Sequence, residues 1–324
     1  MEKRISTLDT IRVVAIFMIL LCHFFLFSDL NSCIGRYFAG VGNMIFFLVS
    51  AFLYGTKYGG ALQEIDYKQF VVGRIKKLGL PVWLFLIILI LLYLVLGVRF
   101  SWFDAALNFL FLGYLGKLPG NGHLWFLTVL VACYAEMLLL LRYKAKVGAV
   151  PWVILAVSVL LVVSGERFGI PSGAFFTIGL YGFVFLKSRW FLQKSKSMTW
   201  WMAAMILALN VVCFFFEYKG LFQWSRSTHF LLSGLCGFSL FSLMLRFIPD
   251  KSNKVISFLG GISFEIYLVH HTLCAGPFVS VVRWPFGYFM NFIVLIVLSM
   301  VLAIVLKTAA SMMVKKTALL FGKK

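Results

Sequence analysis

The chain has 324 residues, 62% hydrophobic and 18% aromatic but only 13% charged, with a mean hydropathy of +0.98. That balance excludes a soluble globular protein, because no core of this size hides so much apolar surface; repeated apolar runs of about twenty residues read as membrane spans. The formal charge of +19 would suggest nucleic acid in a soluble chain; beside such runs it reads as a positive-inside bias with attraction to membrane lipid headgroups, and no nucleic-acid partner is expected.

In chain order, the apolar runs predict spans over 11–30, 37–54, 79–98, 123–141, 148–164, 171–187, 200–217, 228–248, 255–274 and 287–306. The expected fold is all-α, a polytopic helical bundle of about ten transmembrane helices forming one membrane domain over 1–324. Lys3 and Arg4 precede the first run, yet that run is long enough to span and shows no small-residue cleavage site, so no cleaved signal is expected. Between the third and fourth spans, Trp102 to Leu115 is short and carries Asp104 and Asn108, the pattern of an interfacial or re-entrant helix. With the N-terminus inside, 22 of the 30 lysines and arginines fall in inner segments and seven in outer ones, while Arg12 lies within a span. This asymmetry predicts cytoplasmic termini.

Arg12 and His23 both lie in the first apolar run, eleven residues apart, which places them on nearly one helix face about 16 Å along the axis. A cation at the bilayer centre costs at least about 2.5–3.5 kcal/mol, so such groups face a protein interior or a wet cavity. All five histidines (23, 123, 229, 270 and 271) fall on the outer half of the predicted topology. His229 reads as a surface group and His123 as a helix-start residue or a functional one, whereas His23 has no partner in its own sequence. On the inner side, Arg74, Lys76 and Lys77 cluster before the third span. They suit either lipid headgroups or the phosphates of a nucleotide-like donor. Glu265 lies mid-span, placed to pair with Arg12 or to orient a histidine, and Glu136 reads as a headgroup-level residue. Asp9 can reach Arg12 along the helix. The six cysteines are scattered without metal-ligand spacing and read as buried thiols, with Cys33 and Cys274 near one face. Inner cations and outer histidines together suit a transporter, a proton path or an enzyme with donor and acceptor on opposite sides.

Five blocks between residue 8 and about residue 271 resemble, in order, those of the membrane acyltransferase 3 family. They are LDTIRVVAIFMILLCHF, NMIFFLVSAFLY, RIKKLGLPVW, HLWFLTVLVACY and GGISFEIYLVHH. Ala51 stands where glycine is usual after Ser50, Lys77 where a second arginine is usual, and Leu130 where one branch of the family has glutamate. The resemblance implies a bacterial cytoplasmic-membrane O-acyltransferase that moves a short acyl group, usually acetyl, from acyl-CoA to a hydroxyl of a surface glycan or glycolipid. It implies no permanently bound cofactor and no metal. Arg74, Lys76 and Lys77 would bind the donor's phosphates. Arg12 would lie along the donor arm, and His23 would act as general base or acyl carrier. His270 would be the second catalytic histidine. Trp125, Tyr267 and Glu265 are the candidate acceptor-binding residues. The alternatives are a transporter or flippase for a lipid-linked glycan, with Arg12 and Glu265 as gating charges, and a multi-histidine haem or metal protein.

Overall fold

The computed structural model describes residues 5–28, 30, 32–59, 65–143, 148–165, 172–219, 226–251, 253–275 and 280–321. Among them no β-strand occurs. Helix α1 is Ser6–Phe27, and α2, Ser32–Tyr54, runs into a π-helical turn at Gly55–Gly59. Helix α3, Tyr67–Arg74, passes through a second π turn, Ile75–Gly79, into α4, Leu80–Val95. The short α5 is Trp102–Phe109, and a 3-10 turn at Gly122–Leu124 opens α6, Trp125–Arg142. There follow α7 Val150–Gly165, α8 Ser172–Lys196, α9 Trp200–Lys219, α10 Arg226–Phe247, α11 Lys254–Cys274 and α12 Tyr288–Phe321.

A helix covers each of the ten predicted runs, and seven described helices are long and apolar enough to cross a membrane. The others differ for physical reasons. Helix α7 is short. Helix α8 carries Lys187, Arg189, Lys194 and Lys196, and α11 carries Glu265, His270 and His271. Predicted starts also fell late. Helix α1 begins at Ser6 because the polar Thr7 and Asp9 are buried, Thr7 N–H donating to Asp250 Oδ1 at 3.3 Å.

The chain divides into two compact units, Met1–Ile65 with Val129–Gly260, and Asp66–Thr128 with Gly261–Lys324. In the first unit, small residues let helix backbones approach closely, the packing device of membrane helices where burial from water supplies little driving force. A Cβ on Gly35 would lie 2.9 Å from the Cys22 carbonyl oxygen of α1, and one on Gly42 would lie 3.1 Å from that of Ala15. Gly40 abuts the Ser233 side chain of α10, and Gly179 of α8 abuts Ser158 of α7. Large side chains then fill the interior, among them Phe47, Phe52, Tyr181, Phe185 and Phe241.

In the second unit, α4 packs on α5 and α12. The predicted interfacial segment is a helix of only eight residues, capped by Ser101 Oγ, which accepts from Asp104 N–H. It closes on itself: the buried Asn108 amide donates to the carbonyls of Asp104 at 2.8 Å and Gly116 at 3.0 Å. The chain reverses at Phe111, a non-glycine residue with φ of 62°.

Candidate active-site residues

Asp9 is 2% exposed and joins two helices of the first unit. Its Oδ1 accepts from Arg12 Nη1 at 3.3 Å and its Oδ2 from Ser257 Oγ of α11, also at 3.3 Å. Gly260, one turn beyond Ser257, brings the backbones together there: a Cβ at that position would lie 3.0 Å from the Asp9 carbonyl oxygen. The expected Asp9–Arg12 contact therefore exists, and Asp9 extends it to a third residue. The Arg12 side chain stays 28% exposed.

His23 lies on the same face of α1 and is half-buried. Its Nδ1 is 3.1 Å from the Ile19 carbonyl oxygen, and its ring stacks on Phe27. A carbonyl only accepts, so Nδ1 carries the proton and, in the neutral ring, the lone pair sits on Nε2. The local helix thus presets the tautomer that a general base requires.

The second unit gathers His123, His270, His271 and Tyr267. Tyr267, His270 and His271 share one face of α11 at i, i+3 and i+4. The His123 ring stacks on His271 with centroids 4.5 Å apart and meets His270 and Tyr267 edge-on at 5.4 and 5.1 Å. Each imidazole donates to a backbone carbonyl. His123 uses Nε2 toward Leu268 at 3.2 Å, His270 uses Nδ1 toward Tyr267 at 2.8 Å, and His271 uses Nδ1 toward Gly120 at 2.6 Å. The Tyr267 hydroxyl donates to the His123 carbonyl at 2.5 Å. Asn121 extends the network, accepting from Thr272 and donating to the Tyr93 hydroxyl.

His270 was the histidine expected from this group; the partnership with His123 and His271 was not. The i, i+3, i+4 spacing in YLVHH marked the shared face, but nothing in the sequence tied it to residue 123. Tyr267 is buried and packs on Phe126 at 4.8 Å, while Trp125 is half-buried and meets Phe126 edge-on. Glu265 is buried and its Oε2 has no hydrogen-bond partner. The Lys307 ammonium of α12 acts on it electrostatically and itself donates to the Gly261 carbonyl one turn earlier. Among the described residues no group of three His, Cys, Asp or Glu is arranged to hold a metal ion.

Arg74, Lys76 and Lys77 occupy the junction of α3 and the π turn. Pro81 explains the turn. It has no N–H, and its ring would strike the Lys77 carbonyl of a regular helix, so the chain widens just before it. The Leu80 N–H accordingly reaches back five residues to Ile75. Lys76 and Lys77 are exposed, and the half-buried Arg74 guanidinium lies 5.4 Å from the Phe70 ring centre.

Glu136 was expected at headgroup level. Its carboxyl lies against Gly182 of α8. A Cβ on Gly182 would lie 2.8 Å from the carboxyl carbon, so only glycine leaves room for it. The side chain of Cys33, considered as a partner for Cys274, lies outside the described residues.

A family model described as an acyltransferase domain, acyltransferase 3, matches residues 5–308. No curated protein and no solved structure matches the chain significantly.

Proposed function

The chain belongs to this acyltransferase family, and on that premise we propose that it is a multi-pass enzyme of the bacterial cytoplasmic membrane, with both termini inside. It transfers an acyl group, acetyl by preference, from cytoplasmic acyl-CoA to a hydroxyl of a surface glycan or glycolipid. The donor's phosphates rest on Arg74, Lys76 and Lys77, where the π turn leaves both lysines exposed. Lysine neutralises phosphate as a point charge, while arginine adds fork geometry.

The observation that carries the mechanism is the tautomer of His23. With Nδ1 held by the Ile19 carbonyl, Nε2 accepts the proton of the acceptor hydroxyl. The hydroxyl oxygen bonds to the thioester carbonyl carbon, the carbon–sulfur bond breaks, and the departing thiolate recovers the proton from the imidazolium. Arg12, steadied by Asp9, offers positive charge on the same helix face. Tyr267, Glu265 and Trp125 are proposed to shape acceptor binding, with His270 supporting them.

The test is transfer of labelled acetyl from acetyl-CoA to membrane glycan by wild type, His23→Ala and Arg74→Ala. His23→Ala is expected to lower kcat by about 10²–10⁴-fold, the usual contribution of a general base. Arg74→Ala is expected to raise KM for the donor. Equal rates in wild type and His23→Ala refute the mechanism, and donor-independent movement of a lipid-linked glycan by proteoliposomes would favour a transporter.

A further inference from the structure

Helices α1 and α2 run antiparallel in a register set by glycines. Gly35 packs on α1 at Cys22 and Leu26, and Gly42 at Ala15, Met18 and Ile19. In that register Asn43 of α2 stands level with Ile16 and Phe17, about 7 Å along the axis from Arg12 and about 10 Å from His23 on the other side. At about 100° per residue, Arg12 and His23 project about 50–80° to one side of the line that joins the two helices, and Asn43 about 90° to the same side. The polar stripe of α1 therefore shares its side of the pair with a second stripe on α2. Ser50, two turns further along that face, meets the Tyr181 hydroxyl of α8 at 3.5 Å. Asn43 differs. The residue as a whole is half-buried, but its Oδ1 is shut away from solvent and has no hydrogen-bond partner among the described residues. An acceptor buried without a partner is costly, so its presence here calls for a donor that arrives from outside the chain.

We propose that Asn43 binds the acyl donor, its Oδ1 accepting from the first amide N–H of the pantetheine arm. This rests on the acyltransferase reading, in which the arm runs past Arg12 to His23. Helical side chains lean toward the N-terminus of their own helix. His23 does so, its Nδ1 lying at the Ile19 carbonyl. On the antiparallel α2, Asn43 leans the opposite way, and the axial gap between the two polar tips falls to about 5 Å. In the donor, four bonds separate the acyl carbon from the first amide nitrogen, about 5 Å when extended. A thioester carbon at His23 thus places that N–H at the level of Asn43.

The contact gives the donor a second fixed point besides its phosphates, which holds the thioester at the base. It also selects. A thioester that lacks the amide leaves the Asn43 oxygen unpaired.

The test uses two small donors that differ at one atom: S-acetyl-N-acetylcysteamine and S-acetyl-2-mercaptoethyl acetate, in which an ester oxygen replaces the N–H. The wild-type protein in nanodiscs should use the amide with a kcat/KM about tenfold above the ester, the size of one hydrogen bond plus the acceptor stranded without it. Asn43→Leu should lower the rate with the amide about tenfold and leave the rate with the ester unchanged. Asn43→Ser, whose side chain is too short to reach, replaces it should leucine prevent folding. Equal rates for the two donors in wild type, or an undiminished preference in the variants, overturn the proposal and leave the transfer mechanism standing. Binding is read apart from chemistry as the Kd of labelled acetyl-CoA for the His23→Ala protein. Adding Asn43→Leu should raise that Kd about tenfold, and an unchanged value overturns the proposal. Asn43-dependent binding in a wild-type protein that transfers no acyl group supports the subsite and refutes the acyltransferase mechanism alone; no binding of acetyl-CoA at all refutes both.

Discussion

Asp9 gives the sharpest test of how the first helix is held. Replacing it by alanine removes, among its contacts, the 3.3 Å hydrogen bonds to Arg12 and to Ser257 from a carboxylate that is almost fully buried. Bonds to a charged group contribute about 1.5–3 kcal/mol each. Both distances are long for charge-assisted bonds, and Arg12 is 28% exposed, so solvent screens part of the ion pair. The expected loss is therefore about 2–3 kcal/mol for Asp9→Ala, and about 1 kcal/mol for Asp9→Asn, whose amide oxygen still accepts from Ser257. Thermal unfolding in detergent should show midpoints lowered by roughly 4–9 °C for the alanine variant, at ~2–3 °C per kcal/mol for a chain of this size. A cycle of Asp9→Asn with Arg12→Gln isolates the ion pair, with an expected coupling of about 1 kcal/mol. Additivity within ~0.5 kcal/mol would refute the view that Asp9 steadies the guanidinium.

Two further outcomes follow from particular contacts. Tyr267→Phe removes only the hydroxyl that donates to the His123 carbonyl; it should destabilise the protein by about 1–2 kcal/mol, read as a lower unfolding midpoint, and an unchanged midpoint refutes the strut. Pro81→Ala restores an N–H and removes the clash that widens the helix, so the π turn should relax and shift α3 by about 100° against α4. The measurement is KM for acetyl-CoA, expected to rise as Arg74 rotates away; an unchanged KM means that the turn does not position the cations.

The helices were legible because apolar runs of spanning length have few other uses, and the runs set most helix ends to within several residues, although α8 and α12 run on nine and fifteen residues past their predicted ends. The Asp9–Arg12 contact was legible for a similar reason, since both ends lie on one turn of one helix. The π turns were not. A one-residue widening leaves no change in composition, and only Pro81 hinted at it. The histidine cluster was half legible: α11 fixes His270, His271 and Tyr267 on one face by local geometry alone. His123 joins them across 145 residues of sequence through a backbone carbonyl, and a carbonyl acceptor has no residue signature. The contact of Glu136 with Gly182 was not legible either, because it depends on a missing side chain in another helix.

Burial separates the histidines that the sequence presented as equals. His23, His123, His270 and His271 all give a ring proton to a backbone carbonyl, which satisfies a polar group in apolar surroundings and leaves one nitrogen with a lone pair when the ring is neutral. A general base must also be reachable. His270 is completely buried, and His123 and His271 are nearly so, whereas His23 is half-buried. The stacked imidazoles are ill placed to accept a proton from a substrate in this conformation, because an imidazolium there would sit against a neighbouring ring in a medium of low dielectric. Their hydrogen bonds instead fasten the start of α6 and the Gly120–Asn121 segment to α11. On the proposed mechanism His270 is then a positioning residue, and the proton transfer falls to His23, the least buried of these four imidazoles.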